Sequence, residues 1–205
     1  MPPKADLPIL AFETAAAWEA WLAAQPAGAP GLWLRLAKKG AGRPSVSRRE
    51  AIDGALCHGW IDGQLAPHDD QWWLVYFTPR SARSKWSQIN REAAQALIEA
   101  GRMAPAGLAQ VHAARADGRW DAAYAPQRTA TVPDDLRAAL AASPQALRFF
   151  EGLKGANRYA ILHRVADAKL PATRARRIAN FVTMLEKGEV VYPPEPQALP
   201  KRASR

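Results

Sequence analysis

Cysteine is nearly missing from this 205-residue chain: the one thiol, Cys57, excludes an internal disulfide and agrees with a reducing compartment. Long apolar runs are missing too. None approaches the ~18 residues that cross a bilayer, so no membrane insertion is expected. The opening Met-Pro-Pro-Lys-Ala-Asp-Leu-Pro lacks the charged segment, apolar stretch and cleavage site of an export signal, and a cytoplasmic location is expected. His58, His68, His112 and His163 are scattered, with no pair at ligand spacing, so no metal is expected. No glycine-rich phosphate loop or nucleotide fingerprint occurs, and no cofactor is expected. Internal repeats are absent as well.

Acidic residues are the scarcer charge, 19 against 28 basic, for a net charge of +9. That balance favours anionic partners, whether nucleic acid, anionic lipid or small metabolites, and says little about fold. Part of the excess sits in Lys201-Arg-Ala-Ser-Arg205, expected to be a solvated end.

What is present points to a mixed architecture. Alanine supplies much of the 48% hydrophobic content and favours helix. The first strand signal is Gly31-Leu-Trp-Leu-Arg-Leu36, with leucines alternating onto one face. Before it, Thr14 caps a helix carrying Trp18, Trp21 and Leu22. Ser47-Arg-Arg-Glu50 is a capping-box pattern opening a helix that stops at Gly59. Trp60 to Leu65 and Trp72 to Thr78 read as an antiparallel hairpin closed by Pro79. Ser84 or Ser87 caps the next helix, with Trp86, Ile89, Ala93 and Leu97 on one face. Helices are then expected from Pro105, Pro133, Pro144, Gly155 and Pro171 onward, the last stacking Ile178, Phe181 and Leu185.

These readings give an α+β fold: a small antiparallel sheet packed with helices, followed by an all-helical C-terminal subdomain. The domains expected are a flexible N-terminus (1–11), an α+β region (12–128), the helical subdomain (129–188) and a basic, proline-rich tail (189–205).

The best ligand candidate is Arg80-Ser-Ala-Arg-Ser-Lys-Trp-Ser87. A helix N-terminus carries partial positive charge, yet Arg80, Arg83 and Lys85 gather there where acids are expected. A bound anion would make that arrangement favourable, with Ser84 and Ser87 as hydroxyl donors and Trp86 alongside. The plainer reading is three long side chains splayed into water. Arg174, one turn before Ile178, is placed to reach an internal carboxylate or the same anion, while Arg176 and Arg177 read as a solvated face. Lys38 and Lys39 are candidates for a basic rim around the hairpin.

Trp60, Trp72, Trp73, Trp86 and Trp120 offer stacking surfaces, but tryptophans on strands and helix stripes usually sit in the core. Trp72 and Trp73 are neighbours on a strand and face opposite ways, which leaves one to line a pocket. Cys57, His58 and Asp62 have the residue types of a nucleophilic centre. Their spacing makes the first two diverge at a helix end, so no catalytic residue is expected. Asp62 is the expected ion-pair partner of Arg80.

Six motifs in order carry a family resemblance: Leu-Cys-His-Gly-Trp-Ile-Asp-Gly (56–63), Phe-Thr-Pro-Arg (77–80), Ser-Lys-Trp-Ser-Gln-Ile-Asn (84–90), Gly-Arg-Met-Ala-Pro-Ala-Gly (101–107), Asp-Gly-Arg-Trp-Asp-Ala-Ala-Tyr (117–124) and Ala-Lys-Leu-Pro-Ala-Thr-Arg-Ala-Arg-Arg-Ile (168–178). Together they resemble the YdeI/OmpD-associated family over roughly Phe12 to Gly188. The resemblance implies a bacteriocin-protection role tied to resistance against cationic antimicrobial peptides, with no established reaction, cofactor or catalytic residue. A chain this basic repels cationic peptides at long range and has no acidic run to capture them, so an indirect route is expected. The leading expectation is therefore a cytosolic, non-catalytic stress or resistance protein that binds a small anionic ligand. Nucleic-acid binding through the basic surface is the alternative. An enzyme of unrecognised class comes third. Sequence leaves the oligomeric state open.

Overall fold

The computed structural model describes residues 7–193, which divide into two compact units at Ala123/Tyr124. The tail expected at 189–205 lies outside the described residues from 194 on, and the flexible N-terminus expected at 1–11 does so over 1–6.

The first unit contains, in order, β1 (Ile9–Leu10), α1 (Ala15–Ala23), β2 (Leu32–Ala37), α2 (Arg48–Cys57), β3 (Trp60–Pro67), β4 (Trp72–Pro79), α3 (Gln88–Glu99) and α4 (Pro105–Ala116). The strands form one sheet in the order β1-β2-β4-β3. β4 is antiparallel to both neighbours, as the hairpin pattern requires, while β1 runs parallel to β2 and makes the sheet mixed. Two residues are too short a stretch to alternate visibly, which is why the sequence reading left β1 out. Between Asp62 and Leu65 the register slips: Gly63 and Gln64 face the single residue Tyr76, a bulge that bends β3.

The alternation in β2 sorts the sheet's two faces. Leu32, Leu34 and Leu36 point with Val75 and Phe77 toward α1 and α2, where Trp18, Leu22, Ala51, Ala55 and Trp60 complete the core. Thr14 and the Ser47–Glu50 capping box start these two helices as read from sequence. The Trp18 indole N–H donates to the Ala51 carbonyl at 3.0 Å and ties α1 to α2. A second cluster joins Leu56 and Cys57 of α2 to Trp86, Ala93, Ala94, Leu97, Val111 and Trp120. Ser87, and not Ser84, caps α3, so Ile89 falls in the first turn and is exposed instead of sharing the buried face. α4 meets α2 at Gly107: a Cβ there would overlap the carbonyl oxygens of Leu56 and Cys57. Only a bare backbone fits that crossing.

The second unit is a set of four helices, α5 (Asp134–Ala141), α6 (Pro144–Gly152), α7 (Gly155–Ala166) and α8 (Pro171–Glu186). Leu136, Leu140, Phe150, Ile161, Val165, Ile178, Phe181 and Leu185 form its core. Arginines close its helix ends. Arg174 and Arg177 of α8 donate to the Val165 and Arg164 carbonyls in the last turn of α7, and Arg158 donates to Phe150 near the end of α6. Phe150 and Val165 also accept from the amides of Leu153 and Ala168, so the guanidinium is a second donor at these helix ends. Arg177 also pairs with Asp167 at 3.8 Å, so it is part of the fold rather than a solvated side chain. The segment before α5 begins this unit earlier than residue 129, because the Tyr159 hydroxyl donates to the Ala125 carbonyl at 2.9 Å.

Candidate functional site

The Arg80–Ser87 loop follows directly from β4 and is built to hold itself. Arg80 is a charged residue only 6% exposed, with its guanidinium 3.7 Å from the centre of the Trp86 ring. Its Nη1 donates to the Lys85 carbonyl at 3.2 Å. From the other side Arg119 donates to the Ser84 carbonyl at 2.9 Å. Ser84 Oγ accepts from the Ser81 amide and Ser87 Oγ from the Asn90 amide. Both hydroxyls and Arg80 thus serve the loop's own backbone, while Arg83 lies exposed. Asp62 pairs with Arg48 at 3.7 Å and not with Arg80, which turns instead onto Trp86. Arg174 belongs to the second unit, where it donates through Nε and Nη2 to the two oxygens of Asp135, the Nη2 bond being 2.8 Å. Of its two expected targets, it takes the internal carboxylate. That arginine is the main reason the Asp135 carboxyl is held below its usual range.

The chemical triad also dissolves. Cys57 is buried and burial pushes its thiol up, away from the reactive thiolate. His58 caps the end of α2, and burial pushes its imidazole down. Among the described residues no group of three His, Cys, Asp or Glu side chains gathers as metal ligands would.

A cavity in the first unit lies at the other end of β4, about 23 Å along the strand from Arg80. It has a volume of about 390 Å³, within the small-molecule range. Its floor is the end of the sheet face, where buried Leu36 is followed by the exposed Leu65 and Trp73. Trp73 is 38% exposed and Leu65 50%, far more than the leucines further along the same face. Ser45, Val46, Ser47 and Arg48, at the entry to α2, make the wall. The Lys38 ammonium stands 4.7 Å from the centre of the Trp73 ring. No acidic side chain lines the cavity. Trp60, Trp86 and Trp120 are core residues and Trp72 lies against Arg35; of these five tryptophans Trp73 is the one that lines this cavity. The sequence places an exposed tryptophan near the hairpin and reads 38–44 as a basic, glycine-containing loop; it does not show that the loop folds back so that the Ala37 amide reaches Ser45 Oγ at 3.1 Å.

Comparison with known families divides the chain where the structure does. Residues 10–110 match the model of a domain of unknown function, DUF8412. Residues 129–188 match the family described as bacteriocin-protection, YdeI or OmpD-associated. Of the six motifs, only 168–178 falls inside that family match; the first four lie in the other domain and 117–124 lies in neither. Neither the curated proteins nor the solved structures give a match.

Proposed function

Residues 129–188 form a domain of the bacteriocin-protection, YdeI or OmpD-associated family, and on that premise we propose a cytoplasmic, non-catalytic resistance protein whose first unit binds a small amphipathic anion. The observation that carries this reading is the Trp73 cleft: an apolar aromatic floor, Lys38 over the ring, Arg48 in the wall and no acid among the lining residues. A flat apolar body would stack on Trp73 while its anionic group meets Lys38, or Arg48 in exchange for the 3.7 Å pairing with Asp62. Protection then works through what the ligand does in the cell, since a basic cleft repels a cationic peptide. The buried, protonated Cys57 supports binding over nucleophilic chemistry.

Placing the ligand here and not at the Ser84 loop follows from where the donors go. Arg80, Ser84 and Ser87 already hold backbone groups, whereas Trp73 and Leu65 stand exposed. Nucleic-acid binding stays second for a related reason, because Arg80, Arg119, Arg158, Arg174 and Arg177 all donate to main-chain carbonyls.

The fluorescent amphipathic anion 1-anilinonaphthalene-8-sulfonate tests the reading. It should bind the folded chain saturably, and Trp73→Ala or the double variant K38Q/R48Q should weaken it about tenfold or more. Equal binding by both variants would refute the cleft. Competition by oligonucleotides that vanishes steeply with added salt would move the argument to nucleic acid.

A further inference from the structure

The family-matched unit has a cavity of its own, independent of the Trp73 cleft. It measures about 200 Å³ and lies along one stripe of α7: Ala156, Tyr159, Ala160, His163 and Arg164, at positions i, i+3, i+4, i+7 and i+8. The hollow exists because the stripe carries alanine where a leucine would fill it. The opposite stripe, with Ile161, Leu162 and Val165, is spent on the core. Tyr192 closes one side and Gln127 lies by the start of the helix.

The walls are fixed before any ligand arrives. Asn157 Nδ2 donates to the Tyr192 carbonyl at 3.1 Å, and the Tyr192 amide donates back to Asn157 Oδ1 at 2.7 Å. His163 is held edge-on to the ring of Tyr124, with centroids 5.0 Å apart, and tilted against Tyr159 at 5.7 Å. The Arg164 guanidinium lies 5.8 Å from the Tyr192 ring centre, and no carboxylate among the described residues pairs with it. No acidic side chain lines the cavity.

We propose that this cavity is a second ligand site, taking a small aromatic carboxylate. The phenol rings of Tyr159 and Tyr192 accept a flat body, and Arg164 offers the planar fork that a carboxylate matches with two parallel hydrogen bonds. Eight residues of helix, about 12 Å, separate Ala156 at the Gln127 end from Arg164, so the cation and the amide stand at opposite ends of the slot. A ring bearing a carboxylate at one end and a hydroxyl at the other uses both.

Titration of the full-length chain with 4-hydroxybenzoate decides it, followed by calorimetry and by the NMR signals of the His163 ring. Wild type should bind and shift those signals. Arg164→Gln should bind about tenfold more weakly or worse. Ala156→Leu, at an exposed position that tolerates a larger side chain, should close the slot and abolish the shift. Trp73→Ala, which alters only the other cleft, should leave the His163 shift as it is in wild type. The proposal is overturned if the His163 signals of wild type do not shift at millimolar concentration, if neither Arg164→Gln nor Ala156→Leu weakens that shift, or if Trp73→Ala alone removes it. Melting curves matching wild type for both pocket variants separate a lost site from a lost fold.

Discussion

The two units solve the same problem with different materials. All eight tryptophans belong to the first unit and none to the second, which holds three of the four tyrosines. The first unit starts three of its four helices with a side-chain cap, from Thr14, Ser47 and Ser87. The second starts one of four that way, from Ser143, and closes helix ends with arginine instead. A sheet that buries residues on both faces needs large flat side chains and defined helix starts to set its layers. Four short helices packed on one another need their frayed ends tied. Arg158, Arg174 and Arg177, part of the basic excess in the sequence, are such ties.

If the units stand on separate foundations, damage to one should leave the other. The largest effect is expected from Gly107→Leu, which forces a side chain into the Leu56 and Cys57 carbonyls. A loss on the order of 3 kcal/mol should lower the tryptophan-detected melting point by roughly 10 °C or more. Amide NMR signals from residues beyond 124 should persist at temperatures where the tryptophan signal has collapsed. Collapse of both together would erase the comparison and show one cooperative unit.

Next comes Arg80→Met. Losing the hydrogen bond to Lys85 and the stack on Trp86 inside the first unit should cost about 2–3 kcal/mol, while Arg83→Gln stays within about 0.5 kcal/mol of wild type. The reverse ranking would return the Ser84 loop to candidacy as a binding site. Acid should then act on the second unit through Asp135. Its folded pKa is depressed chiefly by the hydrogen bond from Arg174, so its contribution is present above the unfolded aspartate value and is lost as pH falls through the folded one. Asp135→Asn should remove that acid-dependent step, visible as a flatter melting profile below about pH 4. The smallest effects concern the caps: Ser47→Ala should cost the first unit about 1 kcal/mol. Lys154→Ser, at a helix start that lacks a side-chain cap, should stabilise the second by about 0.5–1 kcal/mol. No gain from the serine would mean that α7's first turn is satisfied in another way.

What could be read in advance follows from how far apart the interacting residues lie. The capping box, the hairpin and every helix of the second unit are local patterns, and each was legible within a few residues of its true ends. β1 was not, because its two residues have meaning only against Trp33 and Leu34, some 24 positions on. The Arg80–Ser87 candidate shows the same cause in reverse. Arg80 through Ser87 form a site-like cluster merely by being neighbours in sequence, and burial of Arg80 on Trp86 cannot be counted from residue types. The Trp73 cleft instead collects Leu36, Val46, Leu65 and Trp73 from four separated segments. Its one local hint was the pair of adjacent tryptophans, of which one had to face out.

The bulge in β3 has a bearing on how this protein behaves in a crowded solution. β3 is an edge of the sheet, where unpaired main-chain groups invite the edge of another copy. Gly63 and Gln64 break the even spacing such a partner would need, and Pro67 removes an amide near the strand's end. An exposed Leu65 between them would otherwise make this the stickiest edge of the first unit. The same kink that bends the strand therefore guards against fibre-like stacking of one copy on the next.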